Sequence, residues 1–153
     1  MQETAVCFTG HRVIPEAHRA PLKAALEQCL RAHIAQGDDT FLAGGAQGFD
    51  RMAAEAVLRL KAEFPQVRLI LLLPYAGREE SPALRALVAQ ADAVEVVSPF
   101  YHGGCMHQRD RKLVDRSHAC IAYCTQTTGG TVYTVNYALD AGIPVTNLAI
   151  GLK

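Results

Sequence analysis

Apolar and polar positions along this chain follow two periodic patterns. Short apolar runs are typical of strands buried on both faces of a parallel sheet, and they alternate with longer segments whose apolar residues recur every three or four positions, as in amphipathic helices. The short runs predict strands at residues 5–8, 40–43, 67–73, 93–97, 119–123 and 144–150. The longer segments predict helices near residues 15–36, 49–63, 82–90, 107–116 and 129–142.

This alternation predicts the fold class. Strands and helices that alternate form βαβ units, whose right-handed crossovers place helices on both faces of a parallel sheet. We therefore expect an α/β protein in which residues 1–153 form a single three-layer α/β/α Rossmann-like domain, with a mainly parallel sheet of about six strands. Pro74 is expected to end the third strand, and Pro144 to occupy the first position of the sixth. The pattern leaves the strand order open.

Composition narrows the class of protein. Hydrophobic residues make up 50% of the chain, and 15 Lys and Arg balance 15 Asp and Glu, which argues against binding to nucleic acid or membranes through overall basicity. No apolar run approaches the roughly 20 residues of a membrane helix, and the N-terminus (Met1-Gln2-Glu3-Thr4) lacks the basic region of a signal peptide. The five cysteines have no scaffold-like spacing, so we expect a cytoplasmic protein with reduced thiols.

Glycines follow two early strands, at the sheet edge where open parallel sheets bind ligands. After the first strand, Gly10 permits close backbone approach and Arg12 offers a guanidinium fork suited to phosphate, with His11 between them; an ordinary strand-exit turn also explains these residues. After the second strand, glycines precede a predicted helix N-terminus, where amides and the helix dipole favour phosphate. These glycines are Gly44, Gly45 and Gly48.

The second glycine loop matches neither common nucleotide fingerprint. It lacks the Lys and Ser/Thr of a Walker A loop and does not read GxGxxG. Asp50 follows this loop. It either contacts a ribose hydroxyl or lies in the first helical turn, where an acid is stabilised by about 0.3–1 kcal/mol.

A third glycine loop, Gly129-Gly130-Thr131, precedes the last helix. Thr131 either caps that helix, which is worth about 1 kcal/mol, or donates its hydroxyl to a phosphate. The double glycine favours a ligand contact. Upstream, at least one of Arg109 and Arg111 is expected to face an anion; the alternative is a solvated charged helix in which both pair with Asp110 and Asp115.

The segment that contains His102, Cys105 and His107 invites comparison with a zinc site. Such a site needs three or four ligands with supporting hydrogen bonds, and no further pair of ligands stands at suitable spacing. We expect no metal and no required cofactor, and a nucleotide-type ligand instead.

Several segments together carry a resemblance to a known family. Taken in order over nearly the whole chain, they resemble the bacterial YpsA-type branch of the SLOG superfamily, which includes the Lonely Guy phosphoribohydrolases and the DNA-processing protein A group. The resemblance implies a Rossmann-like fold and a pocket for a nucleotide-derived ligand. The segments are Cys7-Phe8-Thr9-Gly10-His11-Arg12, Gly44-Gly45-Ala46-Gln47-Gly48-Phe49-Asp50, Gly104-Cys105-Met106, Arg109-Asp110-Arg111, Val114-Asp115-Arg116-Ser117 and Gly129-Gly130-Thr131-Val132-Tyr133-Thr134.

The chain departs from its relatives at two places. Lonely Guy enzymes use a Pro-Gly-Gly-x-Gly-Thr-x-x-Glu segment, and Asn136 stands at the glutamate position here. An amide is neither a base nor a nucleophile at neutral pH, so an enzyme would need Asp50, Glu55 or Asp115 instead. Members of the YpsA-type branch carry Gln and Trp after the third strand, where this chain has Arg78-Glu79-Glu80, so we expect ligand specificity to differ there.

The leading hypothesis is binding or sensing of a nucleotide or nucleotide-derived phosphorylated ligand at the carboxyl edge of the sheet. Arg12, Arg109 and Thr131 would contact phosphate, and Asp50 a ribose. The alternative is an enzyme that cleaves or transfers at the N-glycosidic bond of a nucleoside monophosphate. DNA binding is a third hypothesis, disfavoured by zero net charge and 7% aromatic residues. We expect no nucleic-acid or membrane partner, and fold analogy leaves a homo-oligomer open.

Overall fold

A computed structural model describes residues 5–77 and 81–152 of the chain. The expectations about the N-terminus at residues 1–4 and about specificity at Arg78-Glu79-Glu80 lie outside the described residues. The strands are β1 (Ala5–Gly10), β2 (Thr40–Ala43), β3 (Arg68–Tyr75), β4 (Ala93–Ser98), β5 (Ser117–Tyr123) and β6 (Val145–Asn147). The helices are α1 (Glu16–Ala35), α2 (Phe49–Glu63), α3 (Pro82–Gln90), α4 (Cys105–Asp115) and α5 (Gly130–Asp140).

The six strands form one parallel sheet in the order β4-β3-β2-β1-β5-β6. From β1, the chain builds the sheet outward to β4 on one side and then continues at β5 on the other. The strand order therefore reverses between β1 and β5, which pair along their whole length up to Gly10 and Tyr123. In open parallel sheets, ligands bind beyond the carboxyl ends of the strands at such a reversal.

The two faces of the sheet pack against different helices, because successive strand side chains point to opposite faces. In β1, Val6 and Phe8 join the core formed with α1 and α2, whereas Ala5 and Cys7 join a second core on the side of α4 and α5. All four side chains are buried. The predicted three-layer α/β/α Rossmann-like architecture is thereby confirmed. No helix in the described ranges has the length and apolar character needed to cross a membrane.

The expectation that Pro74 ends the third strand is wrong, because β3 continues to Tyr75. The neighbouring strand β2 stops at Ala43, opposite Leu71, and beyond this point β3 pairs only with β4, as far as Tyr75 opposite Ser98. The missing N–H of Pro74 therefore removes no ladder hydrogen bond to β2.

The last strand is shorter than the predicted 144–150. It begins at Val145, so the expectation that Pro144 occupies its first position is wrong, and Asn147 ends it. The Oδ1 atom of Asn147 accepts the backbone N–H groups of Cys124 (3.0 Å) and Ala149 (3.1 Å), and its Nδ2 donates to the Cys124 carbonyl (2.9 Å). A side chain that satisfies backbone groups in this way replaces ladder hydrogen bonds. It also fixes the chain that leaves β5 towards the carboxyl edge of the sheet.

Candidate ligand-binding site

A cavity of about 340 Å³ lies at the carboxyl edge of the sheet, at the reversal between β1 and β5. Its wall is formed by the end of β1 and the loop after it, the start of α2, the first turns of α4 and the segment that leads into α5. Most of the candidate residues from the sequence lie on this wall: Gly10, His11, Arg12, Asp50, Arg109, Gly129, Gly130 and Thr131. Four segments that are distant in the chain therefore meet at one cavity.

Gly44, Gly45 and Gly48 do not lie on the cavity wall, and the first and last are required for packing inside the protein. A Cβ atom at Gly44 would lie 2.6 Å from Nη1 of Arg109. At Gly48, φ is +81° and a Cβ atom would lie 2.4 Å from the carbonyl oxygen of Arg12. A side chain at either position would push apart the segments that form the cavity.

Gly129 and Gly130 have a different environment, since a Cβ atom built at either residue meets no neighbouring atom within 4 Å. Gly129 is the N-cap of α5, and no side chain forms a cap hydrogen bond there. The alternative in which Thr131 caps the helix is therefore wrong, because Thr131 lies inside the first turn. The first N–H groups of an α-helix have no partner within the helix, and those of α5 have no acceptor elsewhere in the described parts of the chain.

Two buried charged side chains, Asp50 and Arg109, lie together in the cavity wall. Each is 6% exposed. Arg109 is fixed by two hydrogen bonds, from Nη1 to the Gly44 carbonyl (2.6 Å) and from Nε to Asp110 (2.7 Å). It thus supplies a positive charge at a defined position, with its forked head partly occupied by the protein itself.

Burial raises the pKa of Asp50 to about 7, because removal of the carboxylate from water disfavours its charged form. The nearby guanidinium of Arg109 and a hydrogen bond from the Ala46 backbone act in the opposite direction. Near neutral pH, the Asp50 carboxyl group is therefore present both as an acceptor and as a donor of hydrogen bonds. Of the three carboxylates considered for catalysis, Asp50 lines the cavity, whereas Glu55 and Asp115 do not.

The charged residues of α4 separate into two environments. Arg109 lies on the cavity wall, and its predicted contact with an anion stays a prediction. Arg111 instead donates to the hydroxyl of Tyr133 at 2.9 Å, and Asp115 accepts from the hydroxyl of Tyr137 at 2.7 Å. The hydrogen bonds of Arg111 and Asp115 to tyrosines of α5 tie α4 to α5, and so fix the width of the cavity between the two helices.

His11 joins three segments of the wall, a role that its sequence context did not reveal. Its Nε2 atom accepts the backbone N–H of Thr125 at 2.8 Å, and its carbonyl accepts the N–H of Phe49 at 3.1 Å. The ring lies edge-on to Tyr123, with 5.6 Å between centroids. Partial burial lowers the pKa of His11, and an accepting Nε2 is consistent with a neutral ring protonated at Nδ1.

Among the described residues, the sequence missed eight further ones on the wall. Asp110 could have been found as the neighbour of Arg109, and His107 as an aromatic residue in the same segment. The His107 ring packs against Tyr133 at a tilt of 43°, with 4.1 Å between centroids. The others are small or uncharged and carry no local signal. The missed residues are Phe8, Thr9, Ala46, Met106, His107, Asp110, Gln126 and Thr128.

The residues considered for a metal site have separate environments. Cys105 is buried, His102 accepts the N–H of Gly104 through Nδ1 at 3.3 Å, and His107 lies on Tyr133. Across residues 5–77 and 81–152, no group of three or more His, Cys, Asp or Glu side chains is placed to hold a metal ion.

The fold and the cavity define a class of protein, a Rossmann-like domain with a cavity at the strand-order reversal. Comparison with known families makes this more specific. The YpsA family, described as the YspA SLOG family, matches residues 15–142. The chain therefore belongs to this SLOG family, as the resemblance of its motifs implied.

Relatives in several bacteria share this sequence pattern. The chain is 29% identical over 148 residues to a UPF0398 protein of Shouchella clausii, an alignment that covers 86% of this chain and 79% of the relative. It is 38% identical over 118 residues to a UPF0398 protein of Halalkalibacterium halodurans, with 72% of this chain and 62% of the relative covered.

Two solved structures show the same fold at low sequence identity. DNA processing protein A of Streptococcus pneumoniae superposes with a TM-score of 0.67 and 14% identity over 94% of this chain, and the chain spans only 49% of that structure. DNA processing protein A of Helicobacter pylori gives a TM-score of 0.66 and 19% identity, covering 94% of this chain and 64% of that one. The second structure is described in terms of its single-stranded DNA binding mode.

Proposed function

We propose that the cavity binds a nucleotide or a nucleotide-derived phosphorylated ligand. The observation that carries this proposal is the amino terminus of α5, whose first amides have no acceptor among the described residues and open onto the cavity at Gly129 and Gly130. Free amides and the positive end of a helix dipole form a site for an anion such as phosphate. The hydroxyl of Thr131, also on the wall, would add a donor.

The remaining wall chemistry suits the rest of a nucleotide. Arg12 is exposed, and its guanidinium has no hydrogen-bond or ion-pair partner in the described ranges, so it is available to a second phosphate oxygen. Asp50 can accept a hydrogen bond from a ribose hydroxyl or donate one to a base. The His107 ring, backed by Tyr133, offers a surface for stacking. A cavity of about 340 Å³ is within the size range of small-molecule sites.

A single-stranded nucleic acid could present the same phosphate and sugar groups. The description of the Helicobacter pylori neighbour makes the expectation of no nucleic-acid partner less secure, although balanced charge and few aromatic side chains favour a small ligand. We therefore include short single-stranded DNA as a separate arm of the test.

Thermal melting against a panel of nucleoside mono-, di- and triphosphates, dinucleotides and short single-stranded DNA tests the proposal. A ligand at about 100 times its Kd should add about 2.7 kcal/mol of stability, which raises Tm by several degrees. Arg12→Gln should remove most of the shift. Arg68→Gln removes the same charge at the amino end of β3, on the sheet edge opposite the cavity, and should retain the shift. Native mass spectrometry would first establish that the protein carries no retained ligand. An absence of any shift from such protein would contradict the proposal.

The protonation of Asp50 supports a second candidate function, hydrolysis of the N-glycosidic bond of a nucleoside monophosphate. The bond from the anomeric carbon to the base would break as water bonds to that carbon. The protonated Asp50 carboxyl would donate its proton to the departing base, and the proton that the water releases would return Asp50 to its protonated form. A general acid with a pKa near the working pH suits this step. Release of free base, measured by chromatography, should be lost in Asp50→Asn and retained in Glu55→Gln and Asp115→Asn. If the wild-type protein releases no base, hydrolysis is excluded and ligand binding is the one proposed function left.

A further inference from the structure

A second concave surface lies between α1 and α2, outside the ligand cavity. This groove, of about 280 Å³, is lined by Arg19 and Lys23 of α1 and by Gly48 and residues of the first turns of α2. The side chains that α2 contributes are Arg51, Met52, Glu55 and Arg59. Four basic side chains thus face one groove together with a single carboxylate, in a chain whose formal net charge is zero.

The basic side chains of the groove are largely without counter-charges. Among the residues that the structure describes, Arg19, Lys23 and Arg59 have no hydrogen-bond or ion-pair partner. Glu55 lies four residues from both Arg51 and Arg59, yet it forms an ion pair with neither. Like charges held close together repel each other, so a bound anion would relieve this arrangement.

Further along the same pair of helices, the charges are matched. Arg31 of α1 forms an ion pair with Glu63 of α2 at 2.7 Å and also lies near Glu27 of its own helix. In α4, Arg109 likewise forms an ion pair with Asp110. Arg12 is also without a partner among the described residues, but the groove brings three such cations together.

One of the cations is held in place before any ligand binds. Arg51 donates from Nε to the Gly45 carbonyl (3.4 Å) and from Nη2 to the hydroxyl of Ser81 (3.2 Å). Gly48, the N-cap of α2, closes one end of the groove without a side-chain cap, so the positive end of the helix dipole adds to the field. A fixed guanidinium beside three exposed cations suits a ligand that carries several negative charges.

We propose that the α1–α2 groove is a second anion site that binds a small linear polyphosphate, independently of the ligand cavity. From Arg51 to Arg59, α2 rises about 12 Å at about 1.5 Å per residue, a length suited to a short chain of phosphates. Within residues 5–77 and 81–152, no aromatic side chain lines the groove. Sites for single-stranded nucleic acid combine basic and aromatic side chains, so the groove favours a polyphosphate over a nucleic acid.

Isothermal titration of the full chain with inorganic phosphate, pyrophosphate and tripolyphosphate tests the proposal. Affinity should increase with the length of the phosphate chain and fall as salt is raised. The double variant Lys23→Gln/Arg59→Gln should bind tripolyphosphate at least about tenfold more weakly, since two charge-assisted contacts are removed. The double variant Arg68→Gln/Lys112→Gln, which removes the same charge elsewhere, should change the Kd less than about twofold. All four positions are exposed, so these variants should fold.

Three outcomes would overturn the proposal. One is the absence of measurable tripolyphosphate binding by the wild-type protein, and another is equal weakening in both double variants, which would indicate non-specific attraction. The third is tighter binding of an oligonucleotide than of tripolyphosphate with the same dependence on Lys23 and Arg59, which would identify a nucleic-acid site. Arg12→Gln separates the two sites, because it should weaken nucleotide binding in the cavity and leave tripolyphosphate binding unchanged.

Discussion

At the residue scale, the fold strongly changes the acid–base chemistry of Asp50. Its pKa in the folded protein, about 7, lies above the ordinary value of 3.8. The folded state therefore holds this proton more tightly than the unfolded chain does. The resulting stabilisation is complete below the unfolded pKa and is lost as the pH rises towards 7.

We expect the free energy of unfolding of the wild-type protein to fall between pH 4 and pH 7 relative to that of Asp50→Asn. At about 1.4 kcal/mol for each tenfold change in proton affinity, the difference amounts to about 4 kcal/mol at most. Urea unfolding at a series of pH values measures it. Asp140→Asn, an exposed acid changed in the same way, should follow the wild-type curve. Curves for wild type and Asp50→Asn that stay parallel would show that Asp50 titrates normally.

Glycines at the site serve two purposes, which substitution by alanine can separate. A Cβ atom at Gly10 would lie 2.4 Å from the ring of Phe49, whereas at Gly130 it would meet nothing within 4 Å. We expect Gly10→Ala to lose about 1–3 kcal/mol through overpacking. Gly130→Ala should keep its stability but weaken nucleotide binding, because the methyl group faces the ligand. Chemical denaturation and ligand titration of both variants measure these effects, and a destabilised Gly130→Ala would contradict the assignment.

At the scale of elements, the amino terminus of α5 is the part of the site that its own residues leave unsatisfied. Thr131→Asp would place a negative charge in the first turn, where it should stabilise the ligand-free protein by about 0.3–1 kcal/mol. The same charge should abolish the nucleotide-induced rise in Tm, because it repels the phosphate. Thr131→Asn, similar in shape and uncharged, provides the control for both measurements. If Thr131→Asp retained full nucleotide binding, the phosphate would have to bind elsewhere.

The bounds of the elements show which parts of the fold were predictable. The predicted segments 49–63 and 82–90 match α2 and α3 at both ends, because their apolar spacing and their flanking Gly48 and Ser81 are local signals. The errors at Pro74 and Asn147 arose where the outcome depends on a neighbour: the early end of β2 for the first, and the backbone of Cys124 for the second. Such contacts are not visible in local sequence.

At the scale of the whole molecule, the reactivity of the cysteines measures how closed the two cores are, because cysteines lie in or against both of them. Cys7 on β1 lies opposite Cys120 on β5. These two cysteines and Cys105 are buried, whereas Cys29 and Cys124 are half-buried. A hydrogen bond with Cys7 and burial raise the pKa of Cys120, and burial raises that of Cys29. Both effects reduce the fraction of reactive thiolate.

We expect a thiol-alkylating reagent to modify Cys124 first and Cys29 more slowly in the native protein. Cys7, Cys105 and Cys120 should react only on unfolding. Peptide mass spectrometry over time, with and without urea, measures this order. Early modification of Cys7 or Cys120 would mean that the sheet opens between β1 and β5, which would remove the basis of the cavity.

The sequence by itself determined the order of strands and helices, the parallel sheet and the glycine-bearing loops at its carboxyl edge. These follow from short-range periodicity and turn chemistry, which act among residues a few positions apart. Tertiary structure alone decided the strand order, and with it which loops meet at the reversal between β1 and β5. It also decided that Gly44 and Gly48 serve internal packing while Gly129 and Gly130 face the cavity, and that Asp50 holds its proton near neutral pH. The physical reason is that burial and electrostatic fields depend on which distant segments come together, and sequence distance carries no information about that.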